Sequence, residues 1–201
     1  RTPTIEPEII EYDLLVREIP VTLQIWDTAG QEQYGALSNL FYRGAHCAAL
    51  VYDITHTSSF ESLERWKDAF ADYANHDYGH TSSFLCLANK LDMYMHRGVA
   101  QKRAITWCNY SGHDMLYYET SAKHGTNLNR AFLHMAEEVV NKMIEEALAA
   151  GGDWQEMRSR NRASLSVDMS QSGSFFVSRR STRYCLVHCN ECFAVGVLHN
   201  F

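Results

Sequence analysis

Two hydrophobic periods alternate along this 201-residue chain. The stretches "IIEYDLLV" (9–16) and "VTLQIW" (21–26) are rich in β-branched and aromatic residues, and the short polar "REIP" between them predicts a hairpin. "CAALVYDI" (47–54) and "FLCLA" (84–88) show no alternation. Short continuous apolar runs suit strands buried on both faces of a parallel sheet, although a buried helix gives the same run.

Between these runs, "SSFESLERWKDAFADYAN" spaces Phe60, Leu63, Trp66, Phe70 and Tyr73 three or four apart, which puts them on one helical face. The same pattern predicts Thr57 or Ser58 as the cap and Glu61 in the opening turn. A second helix is expected from Val99 to Asn109, and "MLYYE" reads as one more strand. The clearest helix is "NLNRAFLHMAEEVVNKMIEEALAA", with Leu128, Phe132, Met135, Val139 and Ile144 in one stripe, stopped by Gly151 and Gly152. Strands alternating with helices predict an α/β layered domain.

From Gly151 the texture changes. Residues 159–182 are rich in Ser and Arg with little apolar periodicity, the composition of a disordered or weakly ordered tail, and the apolar end "CFAVGVLHNF" is expected to stand unpaired. The division is therefore 1–150 as the folded domain and 151–201 as the tail. Charge follows it: residues 1–150 hold 12 Lys and Arg against 20 Asp and Glu, and residues 151–201 hold six against four. An acidic body argues against a nucleic-acid partner, whose affinity would come from neutralised phosphates. No apolar run approaches the roughly 20 residues that cross a bilayer, and no signal-peptide pattern opens the chain, so a cytoplasmic location is expected. Cys47, Cys86 and Cys108 lie inside apolar segments and are expected to be buried free thiols.

Three loops carry candidate chemistry. In "WDTAGQE", Asp27 follows directly on a strand, where a carboxylate reaches a Mg²⁺ through water. Gly30 there lets a backbone N–H approach a phosphate, and the Gln31 amide both accepts from and donates to an attacking water. In "ANKLDM", the Asp92 carboxylate suits the ring N1–H and exocyclic amine of guanine, while the stem of Lys90, beside Asn89, suits the flat face of a base. In "ETSAK", Ala122 is small enough to bring its N–H to a ligand while Ser121 orders the loop. Taken singly, each is also an ordinary turn, polar loop or cap. Taken together, in this order and each at the carboxyl end of a predicted strand, they point to one guanine-nucleotide site.

"WDTAGQE", "NKLD" and "ETSAK" resemble the small GTPases of the Ras superfamily, and "LQIWDTAGQE", "FYRGA" and "LVYDIT" resemble its Rab branch. The resemblance runs from about Thr4 to Lys142, and "LERWKDAF" and "KRAITWC" are similar to the late-endosomal and lysosomal Rabs. It implies an α/β three-layer fold with a mostly parallel sheet flanked by helices, and GTP or GDP with Mg²⁺ as cofactors. Thr4 in "PTIE" would ligate Mg²⁺ and sense the γ-phosphate, Asp27 would serve the metal, Gly30 the phosphate, and Gln31 would orient the hydrolytic water. Asn89, Lys90 and Asp92 would contact guanine, with Ser121, Ala122 and Lys123 closing the pocket. Implied partners are Rab effectors, an exchange factor and a GTPase-activating protein, and the implied location is the cytosolic face of endosomal or vesicle membranes. Slow intrinsic hydrolysis with a partner-supplied arginine is the general template for this class.

The chain departs from that pattern in three places, one of them "IEPEI" after Thr4, which lacks the glycine and phenylalanine of the usual Rab string and carries Pro7 at a strand start. G-x-x-x-x-G-K-[ST] occurs nowhere in these 201 residues. Its backbone N–H groups, Lys and Ser/Thr would supply most of the phosphate and Mg²⁺ contacts. A fold lacking its first strand, phosphate loop and first helix is therefore expected, with a central strand missing and its neighbours' edges open. Truncation of a working GTP hydrolase is the preferred explanation, because Gln31, Asp92 and the guanine loops are intact. The alternative is a nucleotide-free interaction module presenting Rab-like switch surfaces. At the other end, "CLVHCNEC" places Cys185, His188, Cys189 and Cys192 at a spacing that fits no common zinc finger, and lipidation of these cysteines and no modification at all are the two expectations that stand level.

Overall fold

The computed structural model describes residues 8–17, 19–27, 45–74, 83–112, 115–149, 151 and 193–199. Its strands are β1 (Glu8–Val16), β2 (Ile19–Asp27), β3 (Cys47–Asp53), β4 (Ser83–Asn89), β5 (Met115–Glu119) and β6 (Phe193–His199). Its helices are α1 (Thr57–Glu61), α2 (Leu63–Ala74), α3 (Gln101–Tyr110) and α4 (Leu128–Ala149), with a 3₁₀ segment at Leu91–His96. All six strands join one sheet in the order β1-β2-β6-β3-β4-β5.

The predicted hairpin is present: β1 and β2 pair antiparallel from Glu8 opposite Asp27 to Val16 opposite Ile19. Arg17 takes a left-handed conformation (φ 48°), as two-residue hairpin turns require at their first position. The remaining neighbours are parallel, and every residue of β3 and β4 is buried, as their unbroken apolar runs predict. One core joins the layers. Phe70 of α2 meets Phe84 of β4 edge-on with ring centroids 5.5 Å apart, and Phe60 stands between Tyr52 (5.1 Å) and Trp107 (5.7 Å). On α4 the buried stripe is Leu128, Ala131, Phe132, Met135, Ala136, Val139 and Val140, and Ile144 packs half-buried at its end. Cys47, Cys86 and Cys108 are buried free thiols, and burial pushes the Cys47 thiol well above its ordinary range.

The helix expected over 58–75 is divided. Ser62 separates α1 from α2 and donates its hydroxyl to the Ser59 carbonyl (2.9 Å). The cap is His56, which makes no side-chain capping bond, and Glu61 closes α1 instead of opening a helix. The reason is local. Ser59 turns its hydroxyl back to the His56 carbonyl (2.7 Å) and accepts from the Asp53 N–H (3.0 Å), so the first turn is tied to the end of β3.

The largest correction concerns the middle of the sheet. The apolar end expected to stand unpaired is β6, which runs parallel to β2 from Leu23 opposite Phe193 to Asp27 opposite Val197. On its other side it runs parallel to β3 from Cys47 opposite Val195 to Val51 opposite His199. The expected open edges of β2 and β3 are thus both paired. Residues 152–192, with Cys185, Cys189 and Cys192, lie outside the described residues, as do Phe41–Gly44 of "FYRGA". Among the described residues no helix is long and apolar enough to cross a membrane.

Candidate functional site

Parallel strands bring their carboxyl ends to one edge, and in α/β sheets that edge is where ligands bind. Here Asp53 of β3 lies in register with Asn89 of β4, and Glu119 of β5 pairs with Ala88. The loops that follow are bound together by their backbones: Thr120 N–H donates to the Ala88 carbonyl (2.8 Å) and Leu91 N–H to the Thr120 carbonyl (2.9 Å).

Side chains complete the edge. The buried Asn89 accepts from the Ala122 N–H through Oδ1 (3.0 Å). Ser121 donates its hydroxyl to Asp92 Oδ1 (2.5 Å) and accepts from the His124 N–H (3.3 Å), while Lys123 Nζ lies 3.9 Å from Asp92 Oδ2. The Ser121 hydroxyl, with help from Lys123, holds the Asp92 carboxyl below the usual carboxylate range, so Asp92 is ionised at neutral pH. Ser121 and Thr126 exchange backbone hydrogen bonds (3.2 and 3.1 Å), and the Asn127 amide donates to the Glu119 carbonyl (2.8 Å), which folds "TSAKHGTN" into a narrow loop.

Lys90 occupies a left-handed conformation (φ 66°), which costs a non-glycine residue on the order of 1–3 kcal/mol. Its ammonium meets Asp53 Oδ2 at 2.6 Å. Asp53 is only 1% exposed and also accepts from the Thr55 N–H (2.8 Å) and hydroxyl (2.7 Å), with His56 Nδ1 at 3.1 Å. Burial alone would raise the Asp53 carboxyl, but Lys90 and Thr55 outweigh it and hold the group below its ordinary value. Behind the edge, Arg97 pairs with Glu119 (2.7 Å), which also accepts from the Tyr117 hydroxyl (3.1 Å).

The loop after β3 has no spare room. Gly98 N–H donates to the Ile54 carbonyl (2.8 Å), and a Cβ at this position would lie 2.9 Å from the Thr55 carbonyl oxygen. Gly98→Ala is expected to destabilise the fold by about 1–3 kcal/mol, because backbone has to move. Thermal melting checks this, and an unchanged midpoint would show that the loop yields.

The structure brings together Asn89, Lys90, Asp92, Ser121, Ala122 and Lys123, which were read from separate stretches of sequence. Asp27 ends β2 and is separated from β3 by β6. Thr4, Gly30 and Gln31 lie outside the described residues. Sequence reasoning missed Asp53, although a single carboxylate closing an apolar run was a readable signal. It also missed the Arg97–Glu119 pair, for which no local signal exists because the partners are 22 residues apart.

The donor set suits a guanine base. Asp92, with 14% of its side chain exposed, offers carboxylate oxygens at the edge, and Lys90, half-buried, is anchored through its ammonium on Asp53. The Ala122 N–H is engaged by Asn89, so a base would have to share or displace that bond. Among the described residues no three His, Cys, Asp or Glu side chains are grouped to hold a metal, and Thr4, Gly30 and Gln31, read for the phosphates, metal and water, lie outside them.

The Ras family model matches residues 1–141. The Ypt/Rab-type GTPase avaA of Emericella nidulans is 41% identical over 152 residues, which cover 75% of this chain and 73% of the relative. Ras-related protein Rab-7a of Dictyostelium discoideum is 41% identical over 145 residues, covering 72% and 70%. The Ypt/Rab-type GTPase ypt7 of Schizosaccharomyces pombe is 39% identical over 148 residues, covering 73% and 72%.

Proposed function

Because this chain belongs to the Ras family, among its Rab-type GTPases, we propose that it is a guanine-nucleotide switch of endosomal or vacuolar trafficking. The family works with guanine nucleotide and Mg²⁺ and with effectors, exchange factors and GTPase-activating proteins. For this chain, the base would be read by Asp92 and flanked by Asn89 and Lys90, with Ser121, Ala122 and Lys123 closing the loop. Thr4 and Asp27 would serve the metal, Thr4 would also sense the γ-phosphate, Gly30 would meet a phosphate oxygen, and Gln31 would orient the water. Mg²⁺, when bound, supplies charge neutralisation during phosphoryl transfer. Cycling to the cytosolic face of endosomal membranes, with lipid on Cys185, Cys189 or Cys192, belongs to the same reading.

One observation carries it: two loops separated by about 30 residues are joined through Asn89–Ala122 and Asp92–Ser121 into one continuous hydrogen-bonded edge. The test is titration with fluorescent GDP in Mg²⁺. We expect saturable binding at micromolar concentration or tighter, and a loss of about a hundredfold in Asp92→Ala with no change for ADP, since two charge-assisted hydrogen bonds to the base disappear. Equal loss for both nucleotides would refute the assignment of Asp92 to the base.

A second reading is favoured by a specific observation. β6 stands in the middle of the sheet, between β2 and β3, where the family resemblance implies the strand preceding the phosphate loop. In that reading the chain is an interaction module with Rab-like surfaces, and GDP fails to bind even at 100-fold above about 1 μM.

A further inference from the structure

Along β4 the side chains alternate between the two faces of the sheet, so Ser83 and Phe84 leave its amino end on opposite sides. Six residues at about 3.3 Å each put Ser83 roughly 20 Å from Asn89, at the far end of the strand from the loops that carry Asp92 and Ser121. β5 starts beside it, with Met115 in register with Phe84. α3 packs on β5, and α4 on both strands. At these strand ends the two helices leave a cleft of about 540 Å³.

Apolar groups form most of its lining: Phe84, Cys108 and Met135, which are buried, and Met115, which is partly buried. Two polar groups interrupt them. Ser83 is 5% exposed, and its hydroxyl has no hydrogen-bond partner among the described residues. Buried hydroxyls nearly always have a partner, so an orphan on the wall of a cleft points to one brought by a ligand. The other group is Glu138, whose side chain is 40% exposed. His134 Nε2 is 3.8 Å from Glu138 Oε1, too long for a hydrogen bond, so the carboxylate can accept from a ligand. Among the described residues no Lys or Arg lines the cleft, and residues 1–150 carry 20 Asp and Glu against 12 Lys and Arg, so the field around it draws cations.

These features select a ligand. The volume falls within the roughly 300–1,000 Å³ of small-molecule sites. The Phe84 ring and the flexible thioethers of Met115 and Met135 suit an aromatic body, and the carboxylate suits one cationic end. We propose that the cleft binds a small aromatic monoamine with a hydrogen-bonding ring. The ring packs among Phe84, Met115 and Met135, its N–H or O–H meets the Ser83 hydroxyl, and the ammonium donates to Glu138. The site shares no residue with the guanine edge and does not rest on the GTPase reading.

Tryptamine, added to the full chain without nucleotide, tests the proposal. Isotope-labelled methionine methyls give one signal for each of the seven methionines, assigned through Met115→Leu and Met135→Leu. Tryptamine is expected to shift the Met115 and Met135 signals saturably, with a dissociation constant of about 1 mM or tighter. The exposed Met93 and Met95 should stay unmoved. Binding should weaken about tenfold in Glu138→Gln and about fivefold in Ser83→Ala. Indolepropionate, with a carboxylate in place of the ammonium, should bind wild type at least about tenfold more weakly than tryptamine. No shift up to about 10 mM tryptamine would overturn the site, as would equal shifts at Met93 and Met95, which mark non-specific adsorption. Unchanged affinity in Glu138→Gln or Ser83→Ala would refute the contact with that side chain. Equal binding of tryptamine and indolepropionate by wild type would refute a cation as the ligand, whether or not the variants fold.

Discussion

Asp53→Ala is expected to destabilise the domain by about 3 kcal/mol at neutral pH and to release Lys90. Breaking a buried ion pair by removing one partner costs roughly 3–5 kcal/mol, and Lys90, with a third of its side chain exposed, recovers part of its hydration. The Thr55 N–H and hydroxyl lose the same acceptor. The effect has a definite pH signature. Asp53 titrates lower in the folded than in the unfolded chain, where an aspartate has a pKa of about 3.9. Its contribution is therefore complete above about pH 4 and is lost as the pH falls through the folded value. Urea denaturation from neutral to acidic pH should show wild type and Asp53→Asn converging toward the acid end. Parallel curves would mean that the carboxylate contributes no differential charge interaction, and that the geometry around Lys90 has another origin.

Phe84→Ala should cost more, about 3–5 kcal/mol, as truncation of a buried aromatic ring does. Phe84 is 1% exposed, lies in register with Ala48 and Met115 on the flanking strands, and receives the edge of Phe70 from α2. Small neighbours such as Ala48 and Ala49 cannot expand to fill the space. For a chain of this length the loss corresponds to a fall in melting temperature of roughly 10 °C. Denaturant midpoints with an unchanged slope would confirm a stability effect, and a loss under about 1 kcal/mol would show that α2 collapses onto the sheet.

The two variants separate what was legible from what was not. Phe84 belongs to an apolar run whose burial on both faces is written in its composition, and the strand appears where the run predicts it. Asn89, Asp92, Ser121 and Ala122 were legible because each follows such a run at the strand's carboxyl end, where side-chain chemistry and position are set locally. Asp53 closes an apolar run in plain view, but its ion pair with Lys90, 37 residues away, is set by the tertiary structure. The broken helix at Ser62 was also hidden: the spacing of Phe60, Leu63 and Trp66 is the same whether or not a hydroxyl diverts the first turn toward β3.

The sequence by itself determined the alternation of buried strands and amphipathic helices, the order of the three chemical loops, and through them the family. These are properties of residues close in the chain, which the periods of strand and helix record directly. Only the tertiary structure decided what lies between β2 and β3. The segment "FAVGVLH" looks like a short unpaired end when read alone, because a strand's partners are set by edges elsewhere that need a hydrogen-bonding neighbour. Pairing of that kind joins Phe193 to Leu23 across 170 residues, and no local pattern in the chain encodes it.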